Sequence, residues 1–262
     1  MCTLDSFCWT YVLMEYPSIT SLVAKYREVE EAKDPIWEKV RDSVHAVQRA
    51  FREYGVTPLV VSYNGGKDSD VCAHIWRLAL YLYLEQQGRA QEYDEMVSEC
   101  LFIVFHNPLD FEEIDAHLER TTRAIGVRVA ESHDSFKEGL VSMISTYGIK
   151  AVILGVRDTD PQGVGLDYFA ESTPDFPPFM RVFPLIHWTY GDVWRFIFAF
   201  SIPYCSLYRE GYVKRAVLRN RYTSIGTKKN SFPNKALLLA DGSYAHASAL
   251  KDWSLERGIR VY

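Results

Sequence analysis

Through the middle of the chain, short and largely apolar runs alternate with longer stretches whose apolar positions recur every three or four residues. The runs Leu59 to Tyr63, Leu101 to Phe105, Val127 to Ala130 and Ala151 to Leu154 have the length of strands and are apolar apart from Ser62 and Arg128, as expected when both faces of a sheet are covered. Between them lie helical patterns. One carries Val71, Ile75, Leu78 and Leu82 to about Leu84, a second runs from about Phe111 to Ile125, and a third lies near Phe136 to Tyr147. Elements in this order make β-α-β units, so the spacing predicts an α/β fold, a mainly parallel sheet with helices on both faces. In such a sheet ligands gather beyond the carboxyl ends of the strands, where the strand order switches direction.

The flanks read differently. From Ser18 to Tyr54 the rhythm is helical, with Ile36, Val40, Val44 and Val47 along one face and Asp34-Pro35 at a helix start. This predicts a helical N-terminal extension over 1–57 packed on a single α/β domain over 58–262, with an irregular C-terminal region from about 162. After Pro161, Gly163, Gly165, Pro174, Pro177 and Pro178 punctuate a stretch without period until Arg181-Val182-Phe183-Pro184-Leu185, the pattern of a long functional loop. Thr189 stands three residues before Asp192, a capping-box arrangement, and Tyr190, Val193, Trp194, Ile197 and Phe198 follow at helical spacing. Beyond Pro203 the chain is irregular and basic, with seven Lys or Arg residues and one Glu between Tyr204 and Asn230.

Two loops at strand ends carry chemistry. In Ser62-Tyr63-Asn64-Gly65-Gly66-Lys67-Asp68-Ser69-Asp70, the glycine pair lets the main chain approach a ligand closely. The helix that follows presents an N-terminus that favours an anion, and Lys67 adds a full positive charge. The adjacent glycines directly before the lysine do not match the GxxxxGK[ST] loop. A glycine pair of this kind is also a common tight strand-to-helix connection. The second loop, Gly155-Val156-Arg157-Asp158-Thr159-Asp160-Pro161, brings a cation and carboxylates to the same end of the sheet. Magnesium shares itself between one or two carboxylates and nucleotide phosphates, so Asp160 and Asp68 are candidate ligands, with Asp158 weaker. The plainer alternative is an Asp-Pro turn with surface charges. A third loop, Phe105-His106-Asn107-Pro108, is a candidate for adenosine contacts.

Composition narrows the field. In a chain of 262 residues, 48% hydrophobic and 24% charged, 29 Lys and Arg stand against 34 Asp and Glu. The net charge of -5 argues against a general nucleic-acid or membrane-surface binder, so a phosphate site must be a local basic pocket. The five cysteines, Cys2, Cys8, Cys72, Cys100 and Cys205, are scattered without a C-x-x-C pair, which supports neither a disulfide framework nor a zinc site. No signal or transit pattern opens the chain, and no run reaches the roughly 18 apolar residues a bilayer span needs. A cytoplasmic monomer acting on small molecules is the expectation.

Asn64-Gly65-Gly66-Lys67-Asp68-Ser69 resembles the SGGxDS loop of the ATP pyrophosphatase superfamily, with Asn in place of the first Ser. That NGGKD form is similar to the loop of the eukaryotic FAD synthetases, relatives of phosphoadenylylsulfate reductase with an adenine nucleotide alpha hydrolase-like fold. Further segments resemble the same family in the same order. They are Gly155 to Pro161, the block from Arg181 through Trp188 to Trp194, Ile202-Pro203-Tyr204-Cys205-Ser206-Leu207-Tyr208, Tyr222-Thr223-Ser224-Ile225-Gly226, and Leu255-Glu256-Arg257-Gly258-Ile259-Arg260. Val213 to Arg221 departs from the family as a basic insertion. Taken alone, Trp188 and Trp194 read as core, and His187 as a hydrogen-bonded structural residue.

The resemblance implies an FMN adenylyltransferase, a magnesium-dependent nucleotidyltransferase that makes FAD and pyrophosphate from FMN and ATP. It places ATP at Ser62, Asn64, Gly65, Gly66, Lys67, Asp68, Ser69, His106, Gly155 and Arg157. It gives the flavin Asp160, Asp167, Trp188, Tyr204, Tyr222 and Arg257, and it gives magnesium Asp160 and Asp68. Catalysis then falls to Asn64, Lys67, Asp68, Asp160, Arg257 and Arg260, which position substrates and neutralise charge. The rivals are a phosphoadenylylsulfate reductase, an ATP sulfurylase small subunit and a flavin or nucleotide carrier without turnover. The reductase needs a cysteine near its C-terminus, and the last here is Cys205.

Overall fold

A computed structural model describes residues 15–209 and 222–257. Its centre is a six-stranded sheet of β1 (Leu59–Ser62), β2 (Leu101–Phe105), β3 (Arg128–Ser132), β4 (Ala151–Ile153), β5 (Phe169–Glu171) and β6 (Met180–Val182). The strand order is β3-β2-β1-β4-β6-β5. All neighbours pair in parallel except β5, which runs antiparallel to β6 at the edge. The expected α/β class and mainly parallel sheet are therefore what the chain forms.

The helices are α1 (Ile19–Glu31), α2 (Trp37–Tyr54), α3 (Lys67–Gln86), α4 (Tyr93–Glu99), α5 (Glu112–Ile125), α6 (Phe136–Tyr147) and α7 (Tyr190–Ala199). Both sheet faces are apolar because both are covered. Val61, Phe102, Val104 and Ile153 join one core with α3, whereas Val60, Leu101, Ile103 and Val152 pack with Leu140 and Met143 of α6 on the other face. α3 touches α1, α2 and α7 as well as β1. This enclosure explains why its residues from Val71 to Leu80 are buried on every side of the helix. Val40, Val44 and Val47 of α2 are buried in that same core.

The long loop after Pro161 holds the edge strand β5, whose three residues are too few to show a period. α4 was equally silent, being a seven-residue helix. The short 3-10 helix Trp253–Leu255 ends before Arg257. Arg260 and the basic insertion at 213–221 lie outside the described residues. Among the described residues no helix is long and apolar enough to cross a membrane.

Candidate active site

From β1 the chain moves outward to β2 and β3, then returns to place β4 on the other side of β1. The switch point therefore lies between β1 and β4, where loops must diverge and leave a crevice. Ser62 and the glycine loop leave β1 there, and Gly155 to Asp160 leave β4. The two loops touch. A Cβ on Gly155 would stand 3.1 Å from the carbonyl carbon of Asp68 and 3.2 Å from the amide of Ser69, so no larger residue fits without moving the backbone. Gly65 has φ +68°, a left-handed conformation that favours glycine.

The crevice is a cleft of about 220 Å³ lined by Ser62, Asn64, Gly66, Lys67, Asp68 and Ser69 from the first loop, and by Leu154, Gly155, Val156, Arg157, Asp160 and Gln162 from the second. Tyr208, Ser224, Ile225, Glu256 and Arg257 complete it from the C-terminal region. Three cations and three carboxylates meet here. Lys67, only 1% exposed, donates to Asp68 Oδ2 at 2.7 Å and Glu256 Oε1 at 2.6 Å. Its ammonium stands 5.2 Å from the centre of the Tyr190 ring. Arg157 donates from Nη2 to both Glu256 oxygens at 2.7 Å, and its Nε lies 3.1 Å from Asp68 Oδ1. Asp160 accepts from Arg257 Nη2 at 2.7 Å and from the Arg157 amide at 2.9 Å.

Burial raises the Asp68 carboxyl pKa, but Arg157 and Lys67 outweigh it and hold the group below its ordinary value. Burial likewise opposes the charge on Arg157, yet Asp68, Glu256 and Asp160 keep its pKa above that of an ordinary guanidinium. The cleft is thus an ionised network with spare capacity. Arg157 Nη1 and Asp68 Oδ1 are buried and make no hydrogen bond, a costly arrangement for polar atoms that no ligand meets.

Two further cavities open from the cleft. One of about 340 Å³ shares Asn64, Gly66 and Ile225 with it and is walled by Phe105, His106, Asn107, Ile114, Asp115 and Leu118. The other, of about 320 Å³, shares Leu154, Val156 and Gln162 and is walled by Phe136, Leu140, Thr173, Phe176, Phe179, Arg181 and Phe183. Phe136 borders both cavities, and its ring packs against Phe105 and Phe176 with centroids 4.7 and 6.1 Å away.

The structure brings most candidates together, with differences of role. Asn64 Oδ1 accepts from the Gly66 amide at 3.0 Å and the Ser69 hydroxyl at 2.8 Å, so this oxygen shapes the loop from within. Asp158 is exposed and faces away, its amide donating to Ile186 O. Four flavin candidates, Asp167, Trp188, Tyr204 and Tyr222, line neither the cleft nor the two cavities. Asp167 is exposed, capping the Tyr168 amide. Trp188 is buried and donates from Nε1 to Ser43 Oγ at 2.9 Å. Tyr204 bonds His246, and Tyr222 packs on Phe111. From the block that holds Trp188, Arg181 and Phe183 wall the second cavity and Tyr190 lies beneath Lys67.

Glu256 is the largest omission from the candidates. Its signal is its place in Leu255-Glu256-Arg257, directly before an arginine of the cleft. Cys205, the reductase rival's only late thiol, is buried, and burial pushes its pKa up to about 12, leaving no reactive thiolate.

With this geometry in hand, the likenesses to other proteins are informative. The phosphoadenosine phosphosulfate reductase domain model matches residues 58–233. A protein of Schizosaccharomyces pombe named "Probable FAD synthase" is 30% identical over 220 residues, 83% of this chain and 77% of that protein. A protein of the same name in Caenorhabditis elegans is 27% identical over 94% of this chain, which spans only 44% of that longer protein. The crystal structure of yeast FAD synthetase in complex with FAD superimposes with a TM-score of 0.75 at 21% identity, covering 93% of this chain and 99% of that one.

Proposed function

Since this chain belongs to the phosphoadenosine phosphosulfate reductase domain family, we propose that it is an FMN adenylyltransferase, joining AMP from ATP to FMN with release of pyrophosphate. The observation that carries this reading is the arrangement of one charged cleft between two cavities. A dinucleotide product needs a site for each half and a cationic middle for the phosphates. The sequence relative from fission yeast, whose name states FAD synthesis, supports the choice of flavin.

In this reading the adenosine occupies the cavity beside His106, and the flavin ring enters the cavity walled by Phe136, Phe176, Phe179 and Phe183. Their faces offer the apolar, aromatic surface that an isoalloxazine buries. The β- and γ-phosphates lie at the N-terminus of α3, where Gly65, Gly66, Lys67 and the helix dipole converge. An oxygen of the FMN phosphate attacks the α-phosphorus in line, the bond to the bridging oxygen breaks, and pyrophosphate leaves with the electron pair. Lys67, Arg157 and Arg257 supply positive charge around that centre, held in advance by Asp68, Glu256 and Asp160, so little reorganisation is needed as charge shifts. No side chain need form a covalent bond.

The donor set suits magnesium: two carboxylates face one cleft, and Asp68 Oδ1 accepts no hydrogen bond. Asp68 and Asp160 would hold the ion together with the phosphates, and the ion would neutralise phosphate oxygens. A cytoplasmic setting accords with Cys72, Cys100 and Cys205, which are buried free thiols. Incubation with ATP, magnesium and FMN should release pyrophosphate and form FAD, while sulfate in place of FMN should release none. Absence of FAD with authentic FMN refutes the assignment.

A further inference from the structure

Behind the glycine loop lies a buried polar cluster that lines no part of the cleft. Tyr63 immediately precedes the loop, and Asp70 follows it on the first turn of α3. Their side chains meet beneath it, the Tyr63 hydroxyl donating to Asp70 Oδ1 at 2.5 Å. His117 of α5 completes the group, its Nε2 lying 2.9 and 3.0 Å from the two oxygens of Asp70. A carboxylate only accepts, so Nε2 carries the proton in this pairing. Asp70 is wholly buried, and Tyr63 and His117 are each 1% exposed. Burial raises the Asp70 pKa, and His117 and Tyr63 oppose the rise.

Such a cluster is a poor way to gain stability alone, because well-packed apolar residues of similar volume commonly do as well or better. What it does supply is a fixed geometry. The Tyr63 to Asp70 bond closes the loop across its base, and the Asp70 amide donates to Gly66 O within the same segment. The back of the loop rests on α5, where a Cβ on Gly65 would meet Ile114 Cγ2 at 3.2 Å and Ile114 O at 3.3 Å. His117 is three residues further along that helix. The same helix gives Ile114, Asp115 and Leu118 to the cavity beside His106.

We propose that Tyr63, Asp70 and His117 are positioning residues for ATP, clamping the phosphate loop shut and pinning it to the helix that walls the nucleoside cavity. The proposal rests on the assignment of ATP to this cleft. The clamp fixes the distance between the seat of the nucleoside and the seat of its phosphates, so its loss misplaces one against the other. The flavin cavity, built on α6, β4 and β6, shares no residue with the clamp and is spared.

The test compares the unaltered chain with Asp70→Asn, His117→Leu, His117→Gln and Tyr63→Phe. Calorimetry measures binding of a non-hydrolysable ATP analogue, steady-state kinetics gives KM for ATP and for FMN, and thermal melting reports folding. Asp70→Asn and His117→Leu should weaken ATP by about tenfold in both Kd and KM, as expected for a misplaced binding group, and leave the KM for FMN unchanged. His117→Gln keeps an N–H donor and should recover most of the loss. Wild-type analogue affinity in folded Asp70→Asn or His117→Leu overturns the proposal, as does equal weakening of ATP and FMN. Should both variants fail to fold, Tyr63→Phe decides, since it removes only the hydroxyl that donates to Asp70; an unchanged ATP Kd there overturns the clamp. If the unaltered chain binds the analogue but makes no FAD, the flavin assignment fails while the clamp is still decided by the calorimetry. If the unaltered chain does not bind the analogue, both fail.

Discussion

On one side of Leu154 and Val156, Lys67, Arg157 and Arg257 interlock with Asp68, Asp160 and Glu256 at hydrogen-bonding distances. On the other side, Phe136, Phe176, Phe179 and Phe183 surround a cavity in which Arg181 is the sole charged lining residue described. The two regions share a wall and face opposite problems. In the proposed assignment the first holds several negative charges without collapsing when they are absent, and the carboxylates meet that need by keeping the cations in place. The second, in the same proposed assignment, accepts the flavin ring, which suits an apolar, aromatic wall with a few polar groups. Substitutions in the charged region should therefore act on ATP, metal and turnover together, whereas those in the aromatic region, Phe136 apart, should act on the flavin alone.

The sharpest break of that contrast is Lys67→Met. It removes the cation at the start of α3 and leaves Asp68 and Glu256 short of a partner. We expect kcat/KM to fall by about 10³-fold and stability by about 3 kcal/mol, read by pyrophosphate release and by denaturant unfolding. A loss of only a few-fold would mean that Lys67 serves the network and not the phosphates. Next is Asp160→Asn, which keeps the shape but weakens the hold on Arg257 and alters a proposed magnesium ligand. Turnover should drop by about 10²-fold, and half-maximal activity should need more magnesium; an unchanged magnesium titration removes Asp160 from the metal site.

On the aromatic side, Phe176→Ala should raise the KM for FMN by about tenfold, the equivalent of losing part of a buried aromatic contact, with the KM for ATP unchanged. A matching rise for ATP would show that the two cavities are not separate sites. Because Phe136 borders both cavities, Phe136→Ala is the useful contrast: it alone of the four rings should disturb both substrates, by a few-fold each.

How far the sequence disclosed these regions follows from how each is encoded. The charged cleft was legible because its members sit in two contiguous loops at strand ends, Asn64 to Ser69 and Gly155 to Asp160, where glycines and charges cluster within a few residues. The strands and long helices were legible through their period. Glu256 was hidden because its role depends on meeting Lys67 and Arg157, which lie 189 and 99 residues earlier in the chain. The aromatic cavity was hidden more deeply, since Phe136 comes from a helix, Phe183 from the end of a strand, and Phe176 and Phe179 from an aperiodic loop. No local pattern marks such a surface. The Asp70 and His117 pair is likewise a product of tertiary packing.

The smallest predicted effect probes the tryptophan that the sequence reading assigned to the flavin. Trp188 sits in the core between α2 and α7, with its indole N–H on Ser43 Oγ and its ring 5.7 Å from that of Phe196. Ser43 in turn donates to Pro184 O at 2.6 Å, so the ring secures the segment between β6 and α7 against α2. Trp188→Phe removes one buried hydrogen bond and part of a ring, which should lower stability by about 1–2 kcal/mol. The KM for FMN should stay within about twofold of the unaltered chain, because no contact with either cavity is lost. A selective rise in that KM, without a matching loss for ATP, would return Trp188 to the flavin and erase the boundary drawn here between core and site.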